Sequence, residues 1–207
     1  MKQKIEFKPN QNIIFTGDSI TDCGRTDPAY APFGNGYVHF TANYLLARFP
    51  NYDLNIINTG ISGDTTSNLK NRWQRDCINH QPDILSILIG INDLWRQYGD
   101  FDRRPSAVYP EIFESNYRDM LTQVKEQCPC KIILAQPFMF CNDPQNQMFK
   151  ELITYIDIVQ KLAEQFDALL VPLQDHIDSE IINTQPQKWA DDMVHPFTWA
   201  HAWISQK

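Results

Sequence analysis

A serine follows a glycine and an aspartate near the start of the chain, directly after a short apolar run. Residues 12–15 predict a strand, and Gly17-Asp18-Ser19 predicts a sharp turn that leads into a helix. A serine on such a turn lies beside free backbone N–H groups and the positive end of a helix, and both stabilise an oxyanion. Ser19 is therefore a candidate nucleophile, although capping of the helix by Asp18 or Ser19 explains the same residues equally well.

Three later segments carry the other groups that a serine nucleophile needs. Gly63 can present a bare backbone N–H at close approach to a ligand, and Asn92 offers a side-chain amide. Asp192 and His195 are three residues apart, so a carboxylate and an imidazole can meet there across one turn. A hydroxyl, a glycine N–H, a carboxamide and an Asp/His pair make a complete set for acyl transfer.

Each of these residues has a defined task in ester hydrolysis. His195 would take the proton of Ser19 during attack and return it to the leaving alcohol. Asp192 would hold the imidazole in the required tautomer. The negative oxygen of the tetrahedral intermediate would bind to the N–H groups of Ser19 and Gly63 and to the amide of Asn92. The sequence thus predicts a Ser-His-Asp triad with a three-donor oxyanion hole.

The other acidic residues of these segments have simpler explanations. Asp191 competes with Asp192 as the carboxylate that orients His195, but it is one residue further away and would face the other way across the turn. The remaining three are expected to brace their loops through backbone hydrogen bonds; they are Asp18, Asp64 and Asp93. Their spacing requires no metal, so the sequence predicts neither a metal site nor a cofactor.

The elements that position these groups alternate between strands and helices. Apolar runs predict five strands, at residues 13–16, 54–58, 84–89, 131–135 and 168–171. Amphipathic stretches predict helices at residues 38–49, 67–77, 112–127 and 148–165. Such alternation gives a parallel sheet covered on both faces, with the working groups at the carboxyl ends of the strands. We therefore predict an α/β fold, a three-layer α/β/α sandwich with a mostly parallel five-stranded sheet, in one domain over residues 1–207.

Composition narrows the class of protein. The chain has 207 residues, a hydrophobic content of 43% and a formal net charge of -7, which suits one soluble domain and argues against nucleic acid or an anionic membrane as a partner. Its five cysteines are odd in number and scattered, as free thiols in a reducing compartment are. Residues 1–9 lack the apolar segment of a signal peptide, so a cytoplasmic protein is expected. A homo-oligomer is compatible with this composition.

Taken in order, the four segments resemble the motif blocks of the SGNH hydrolases, also called GDSL-type esterases. The blocks correspond to Gly17-Asp18-Ser19, Gly63, Asn92 and the pair Asp192 and His195. The resemblance implies a flavodoxin-like fold and hydrolysis of carboxylic esters. More narrowly, residues 17–25, 36–38 and 89–98 are similar to the intracellular acetylxylan esterases of this superfamily, which implies an acetylated carbohydrate such as a xylo-oligosaccharide as the substrate.

Aromatic and basic side chains near Asn92 are candidates for substrate binding. Trp95, Arg96 and Tyr98 follow Asn92 closely, and Tyr37 could come near them in space. Rings there can stack on sugars, although burial in the core is the alternative for each. The leading hypothesis is removal of small acyl groups, acetyl above all, from a small-molecule or oligosaccharide ester. The alternatives are a broad-specificity carboxylesterase or lysophospholipase-like acylhydrolase, and a non-catalytic binding protein that retains the fold.

Overall fold

The computed structural model describes residues 5–98 and 106–207, and within them it contains a parallel sheet of five strands. The strands are β1 (Asn12–Gly17), β2 (Asn55–Asn58), β3 (Ile84–Leu88), β4 (Lys131–Ala135) and β5 (Leu169–Val171). They are rich in isoleucine and leucine, and every residue of β3 is buried because helices cover both faces of the sheet. The predicted α/β fold is confirmed, and each strand lies close to its predicted bounds.

Eight α-helices connect and flank these strands in the described ranges. They are α1 (Ser19–Asp22), α2 (Tyr37–Arg48), α3 (Thr66–Asp76), α4 (Ile91–Tyr98), α5 (Pro110–Gln127), α6 (Gln147–Gln165), α7 (Leu173–Ile181) and α8 (Thr198–Ile204). The four longer helices α2, α3, α5 and α6 match predicted ones, and α1 is the helix expected after the serine turn. The helices α4, α7 and α8 were not predicted, because short helices repeat too few apolar positions to be recognised. None of the helices described is long and apolar enough to cross a membrane.

The strands lie in the order β2-β1-β3-β4-β5, so β2 is added on one side of β1 and the later strands are added on the other side. The chain goes from β1 outward to β2, then returns past β1 to β3, β4 and β5 on the other side. Helices α3 and α6 both pack against α5, whereas α2 packs against α8, and right-handed crossovers place these two groups on opposite faces of the sheet. The reversal between β1 and β3 opens a crevice at the carboxyl ends of the strands, where ligands bind in sheets of this kind.

The hydrophobic core lies on both faces of the central strands. Ile14, Leu85 and Leu134 are fully buried on β1, β3 and β4, and Trp73 and Tyr117 fill the layer under α3 and α5. Burial of a large apolar side chain contributes roughly 1.5–3 kcal/mol. This packing fixes the strand ends from which the site is built.

A cavity of about 700 Å³ opens on the face of the sheet that carries α2 and α8. Its lining is mainly apolar and includes Leu88, Ile133, Val171 and Ile204. Of the residues predicted to belong to the site, all of which lie in the described part of the chain, only Tyr37 lines it. The cavity is therefore separate from the crevice at the strand ends.

Candidate active site

Ser19 lies where β1 ends and α1 begins, and its hydroxyl faces an imidazole. Ser19 Oγ is 2.8 Å from Nε2 of His195. Asp18, and not Ser19, caps the helix, since its side chain accepts a hydrogen bond of 3.0 Å from the N–H of Ile20. Asp18 therefore caps the helix, and the hydroxyl of Ser19 is available for its hydrogen bond with His195.

His195 and Asp192 belong to one tight turn, residues 192–195, which we call the acid–base turn. Nδ1 of His195 is 2.6 Å from Oδ2 of Asp192. The other oxygen, Oδ1, accepts hydrogen bonds of 2.9 and 2.8 Å from the N–H groups of Val194 and His195. Asp191 is exposed, and the described structure contains no hydrogen bond between it and His195. Asp192 is therefore the carboxylate at the imidazole.

The acid–base turn is half-exposed but rests on buried residues. Its Asp and His side chains are 40% and 46% exposed, whereas Val194 between them is buried. Trp189, just before the turn, is also buried, and its ring lies 4.6 Å from that of Trp199 and 5.0 Å from that of Trp203. This aromatic cluster holds the turn in place by apolar packing.

Four carboxyl groups around the site have shifted pKa values, and in Asp64 burial raises the pKa in spite of the hydrogen bond from Arg72. Burial favours the neutral form of Asp192, but the hydrogen bonds from His195 and from two backbone N–H groups outweigh it and hold the pKa of Asp192 below its usual range. Burial raises the pKa of Asp18 and that of Asp93 to about 7 each. Asp93 braces the start of α3, because it accepts hydrogen bonds from the N–H and the hydroxyl of Thr66. Asp192, the acid at the imidazole, is thus charged. Asp18 and Asp93 are buried, and their side chains accept hydrogen bonds at the starts of α1 and α3.

Three hydrogen-bond donors that the sequence assigned to the oxyanion hole keep hydrogens available for a ligand. Among the described residues, the backbone N–H groups of Ser19 and Gly63 donate to no protein acceptor. Gly63 has a φ of 83°, a left-handed conformation that favours glycine. Nδ2 of Asn92 donates one hydrogen to the carbonyl oxygen of Asp64 at 3.1 Å, which leaves its second hydrogen unused. These are the donors that the sequence assigned to the oxyanion hole.

Residues 60–64, which we call the oxyanion loop, are held by side chains from other parts of the chain. The carboxylate of Asp22 accepts hydrogen bonds of 3.1 Å from the N–H and 2.7 Å from the hydroxyl of Ser62. Nε of Arg25 donates to the carbonyl of Gly60 at 2.5 Å. The start and the middle of the loop therefore have fixed positions relative to the segment that carries Ser19.

The predicted substrate-binding residues that follow Asn92 divide along α4. The ring of Trp95 lies 5.6 Å from that of His195, at an angle of 49°, and Arg96 donates a hydrogen bond to the carbonyl of Gly63. Both therefore lie beside the reacting groups. Tyr98, at the end of the helix, is 39% exposed, and partial burial together with Glu151 raises its pKa to about 12. Its partner Glu151 lies on α6. No hydrogen bond or ring contact joins Tyr98 to the triad in the described structure, so its part in substrate binding stays a prediction.

Tyr37, which the sequence analysis named as a candidate for substrate binding, lies in the core of the described structure. Its side chain is only 7% exposed, and its hydroxyl is 3.1 Å from Oγ1 of Thr21 inside the protein. The ring packs edge-on against Phe15 of β1. Tyr37 is thus a core residue that supports α1 from below, because its polar tip finds a buried partner.

The sequence analysis missed the side chains that hold the oxyanion loop. Arg72 carried a signal, because it stands between Leu69 and Trp73 on the buried stripe of α3, where a basic side chain is unexpected. Asp22 and Arg25 carried none, since their partners are loop residues 40 and 35 positions away in the chain. In the described residues no cluster of three or more histidine, cysteine or acidic side chains could hold a metal ion.

The α/β/α sheet and the hydrogen-bonded Ser-His-Asp chain at its reversal point together define a serine hydrolase. The chain belongs to the GDSL-like lipase/acylhydrolase family, whose model matches residues 15–203. The protein is therefore a carboxylic ester hydrolase with a serine nucleophile.

Similar proteins of known structure or activity agree with this class. An acetylxylan esterase from Geobacillus stearothermophilus is 35% identical over 195 residues, covering 92% of this chain and 89% of that protein. A crystal structure of an acetylxylan esterase from the same organism superimposes with a TM-score of 0.91 at 33% identity, covering 98% of this chain and 94% of the other. Solved structures of that enzyme include catalytic mutants in which a serine, a histidine or an aspartate is replaced by alanine. An arylesterase from Vibrio mimicus is 29% identical over 154 residues, covering 74% of this chain and 68% of that protein.

Proposed function

We propose that the protein removes small acyl groups, acetyl above all, from carbohydrate esters such as xylo-oligosaccharides. Ser19 is the nucleophile, His195 the general base and acid, and Asp192 the orienting carboxylate. The oxyanion hole consists of the N–H groups of Ser19 and Gly63 and of Nδ2 of Asn92. The observation that carries the proposal is the continuous hydrogen-bonded chain from Asp192 through His195 to Ser19, with distances of 2.6 and 2.8 Å.

The first half of the reaction forms an acyl-enzyme. Asp192 accepts a hydrogen bond from Nδ1–H of His195, so Nε2 is free to accept the proton of Ser19. As this proton moves, Oγ attacks the ester carbonyl, and the carbonyl oxygen becomes an oxyanion that the three hole donors stabilise. When the intermediate collapses, the ester C–O bond breaks and Nε2 returns the proton to the leaving sugar hydroxyl.

The second half of the reaction repeats these steps with water. His195 removes a proton from a water molecule, which attacks the acyl carbon bound to Ser19. The tetrahedral oxygen occupies the same hole, and collapse releases the carboxylic acid. The proton on Nε2 then returns to Oγ, which restores the serine hydroxyl.

Two observations support a small acyl group on a carbohydrate. The similar enzyme from Geobacillus stearothermophilus is named an acetylxylan esterase. Trp95 lies beside the imidazole, where an aromatic ring can stack on a sugar. A broad-specificity carboxylesterase is the second candidate, and the similarity to an arylesterase favours it.

Ser19→Ala tests the nucleophile. The variant should hydrolyse p-nitrophenyl acetate only at background rate and should melt close to the wild-type temperature, because a single hydroxyl is lost. Ser205→Ala, which removes a hydroxyl bonded to the carbonyl of Ala202, is the matched control and should stay active. Full activity in Ser19→Ala, or labelling of another serine by a fluorophosphonate, would contradict the assignment.

The substrate is tested with a chain-length series and with acetylated xylo-oligosaccharides. The proposal expects kcat/KM to be highest for acetyl esters, to fall as the acyl chain grows, and acetate to be released from the oligosaccharides. Equal rates from acetyl to longer esters, with no release from the oligosaccharides, would favour the broad carboxylesterase.

The cellular setting follows from the same proposal. We place the enzyme in the cytoplasm as one catalytic domain over residues 1–207. We expect it to bind its ester substrate and to bind neither nucleic acid nor a membrane. The five cysteines, all free, support a reducing compartment. A homo-oligomer stays a prediction that size-exclusion chromatography with light scattering can decide.

A further inference from the structure

Arg72 is a buried side chain that connects the two loops of the proposed oxyanion hole. The residue is 8% exposed, and its guanidinium donates in three directions: Nη2 to the carbonyl of Gly17 at 3.0 Å, Nη1 to the carbonyl of Thr59 at 2.7 Å, and Nε to the carboxylate of Asp64 at 2.6 Å. Gly17 is two residues before Ser19. Thr59 precedes the oxyanion loop, and Asp64 ends it. One rigid planar group therefore spans the nucleophile turn and both ends of the loop.

Asn92, the third donor of the proposed hole, is also linked to Arg72, through Asp64. Nδ2 of Asn92 donates to the carbonyl oxygen of Asp64 at 3.1 Å. Arg72 holds the carboxylate of that same Asp64. A shift of Asp64 would therefore move the end of the oxyanion loop and the amide of Asn92 together, while Ser19 stayed at the start of α1.

We propose that Arg72 is a positioning residue for ester hydrolysis, which sets the distance between Ser19 and the oxyanion-hole donors without touching the substrate. The inference rests on the proposed function, because it assigns those donors to the oxyanion. A displacement of a donor by a fraction of an ångström matters there, since hydrogen bonds to the oxyanion act only at close range in the transition state.

The charge of Arg72 also offsets negative charge near the hole. Its guanidinium contacts two carboxylates, Asp64 at 2.6 Å and Asp76 at 3.1 Å. Without it, Asp64 would lose the cation that is hydrogen-bonded to its carboxylate, and added negative charge next to the hole opposes formation of an oxyanion. Loss of the side chain should therefore weaken transition-state binding through both geometry and charge.

The test compares Arg72→Lys and Arg72→Met with the wild-type protein. Lysine keeps the charge, but one ammonium group cannot span three acceptors in the geometry of a guanidinium. We expect kcat for p-nitrophenyl acetate to fall about 10-fold in Arg72→Lys and about 100-fold in Arg72→Met, with KM within about twofold. The inhibition constant of a boronic acid, which forms a tetrahedral anion on the serine, should rise by similar factors.

Arg75→Met is the matched control. Arg75 lies on the same helix and pairs with the same Asp76 at 2.5 Å, but its side chain is 71% exposed and it does not contact the loop. Its removal should leave kcat unchanged. All rates are divided by the number of active sites, counted by complete reaction with a fluorophosphonate, because a structural defect alone lowers that number and not the rate per site.

The outcomes separate this inference from the proposed function. Wild-type kcat per active site in Arg72→Lys and Arg72→Met, or an equal loss in Arg75→Met, would overturn the inference. If Arg72→Met does not fold, Arg72→Lys and Asp64→Asn decide, and unchanged kcat and boronic acid inhibition in both would reject it. An inactive wild-type protein, or an active Ser19→Ala variant, would instead reject the proposed function.

Discussion

The oxyanion loop and the acid–base turn are held in place in different ways. The loop is fixed by charged side chains that come from other elements, namely Asp22, Arg25 and Arg72. The turn is fixed by the carboxylate of Asp192, which accepts hydrogen bonds from two backbone N–H groups within the turn. The aromatic cluster around Trp189 also holds it in place. The loop is held by a network of charged side chains that links distant residues. The turn is held by its own hydrogen bonds, by apolar packing and by one backbone hydrogen bond of 2.8 Å from the N–H of Phe140 to the carbonyl of Met193.

This difference predicts that substitutions in the two regions affect the reaction rate and the stability of the fold in different ways. His195 and Asp192 are half-exposed, so their chemistry can be removed at little cost to the fold. The groups that hold the oxyanion loop are largely buried, and a buried partner left without its hydrogen bond costs about 1–3 kcal/mol. Changes in the turn should therefore affect rate alone, whereas changes in the loop should affect rate and stability together. Four substitutions, in order of decreasing effect on rate, test this expectation.

His195→Ala should have the largest effect. Loss of the base should lower kcat by a factor on the order of 10⁵ to 10⁶, while the melting temperature stays close to that of the wild type. His39→Ala, at an exposed histidine on α2, is the control and should keep full activity. Steady-state kinetics and thermal melts provide both numbers. A large drop in melting temperature for His195→Ala would show that the turn is less independent than its contacts indicate.

Asp192→Asn should lower kcat/KM by a factor of about 10⁴, because the imidazole loses its orienting carboxylate. Asparagine keeps the oxygen that accepts hydrogen bonds from the backbone of the turn, so the melting temperature should change little. Steady-state kinetics on p-nitrophenyl acetate measure the loss, and Asp191→Asn, one residue earlier, should leave the rate unchanged. Wild-type kcat/KM in Asp192→Asn, or an equal loss in Asp191→Asn, would contradict the role of Asp192.

Asn92→Ala should lower kcat by about 10² to 10³ with little change in KM, because the amide acts on the oxyanion and not on the ground state. It should also lower the free energy of unfolding by about 1 kcal/mol, since the hydrogen bond to Asp64 is lost. Asn116→Ala is the control, because Asn116 is also buried and bonded to Ser67 but lies on α5. That variant should lose stability and keep its kcat; equal kinetic losses would argue against a specific role of Asn92.

Ser62→Ala should have the smallest effect. The hydroxyl bond to Asp22 is lost while the N–H bond to the same carboxylate remains, so we expect a decrease of kcat of only a few fold and of stability by about 0.5–1.5 kcal/mol. Urea unfolding and kinetics on p-nitrophenyl acetate measure the two quantities. Ser179→Ala, which removes a hydroxyl bond to the carbonyl of His176, should lower stability at most and leave the rate intact.

The strands and the main reactive groups could be predicted from the sequence because their signals are local. The apolar run before Ser19 marks β1, and the spacing of Asp192 and His195 is enough to let them meet in one turn. The preference for Asp192 over Asp191 followed from that spacing alone, and the hydrogen bonds of His195 agree with it.

The rest of the site depends on contacts that the sequence does not encode locally. An aromatic residue such as Tyr37 serves equally well in a core or in a pocket, and the sequence does not reveal that its hydroxyl meets the buried hydroxyl of Thr21 on α1. The roles of Arg25 and Arg72 require that carbonyls from two different strand ends point at them, which is a property of the assembled sheet.

The nucleophile and its base are 176 positions apart in the chain. During synthesis the ribosome releases Ser19 early, and even β5, which ends at Val171, emerges before His195 does. A nascent chain can thus complete its sheet and still be unable to cleave an ester, because the imidazole has not yet left the ribosome. On the proposed mechanism, hydrolysis begins only when translation has passed the acid–base turn, so no partly made chain can cleave an ester.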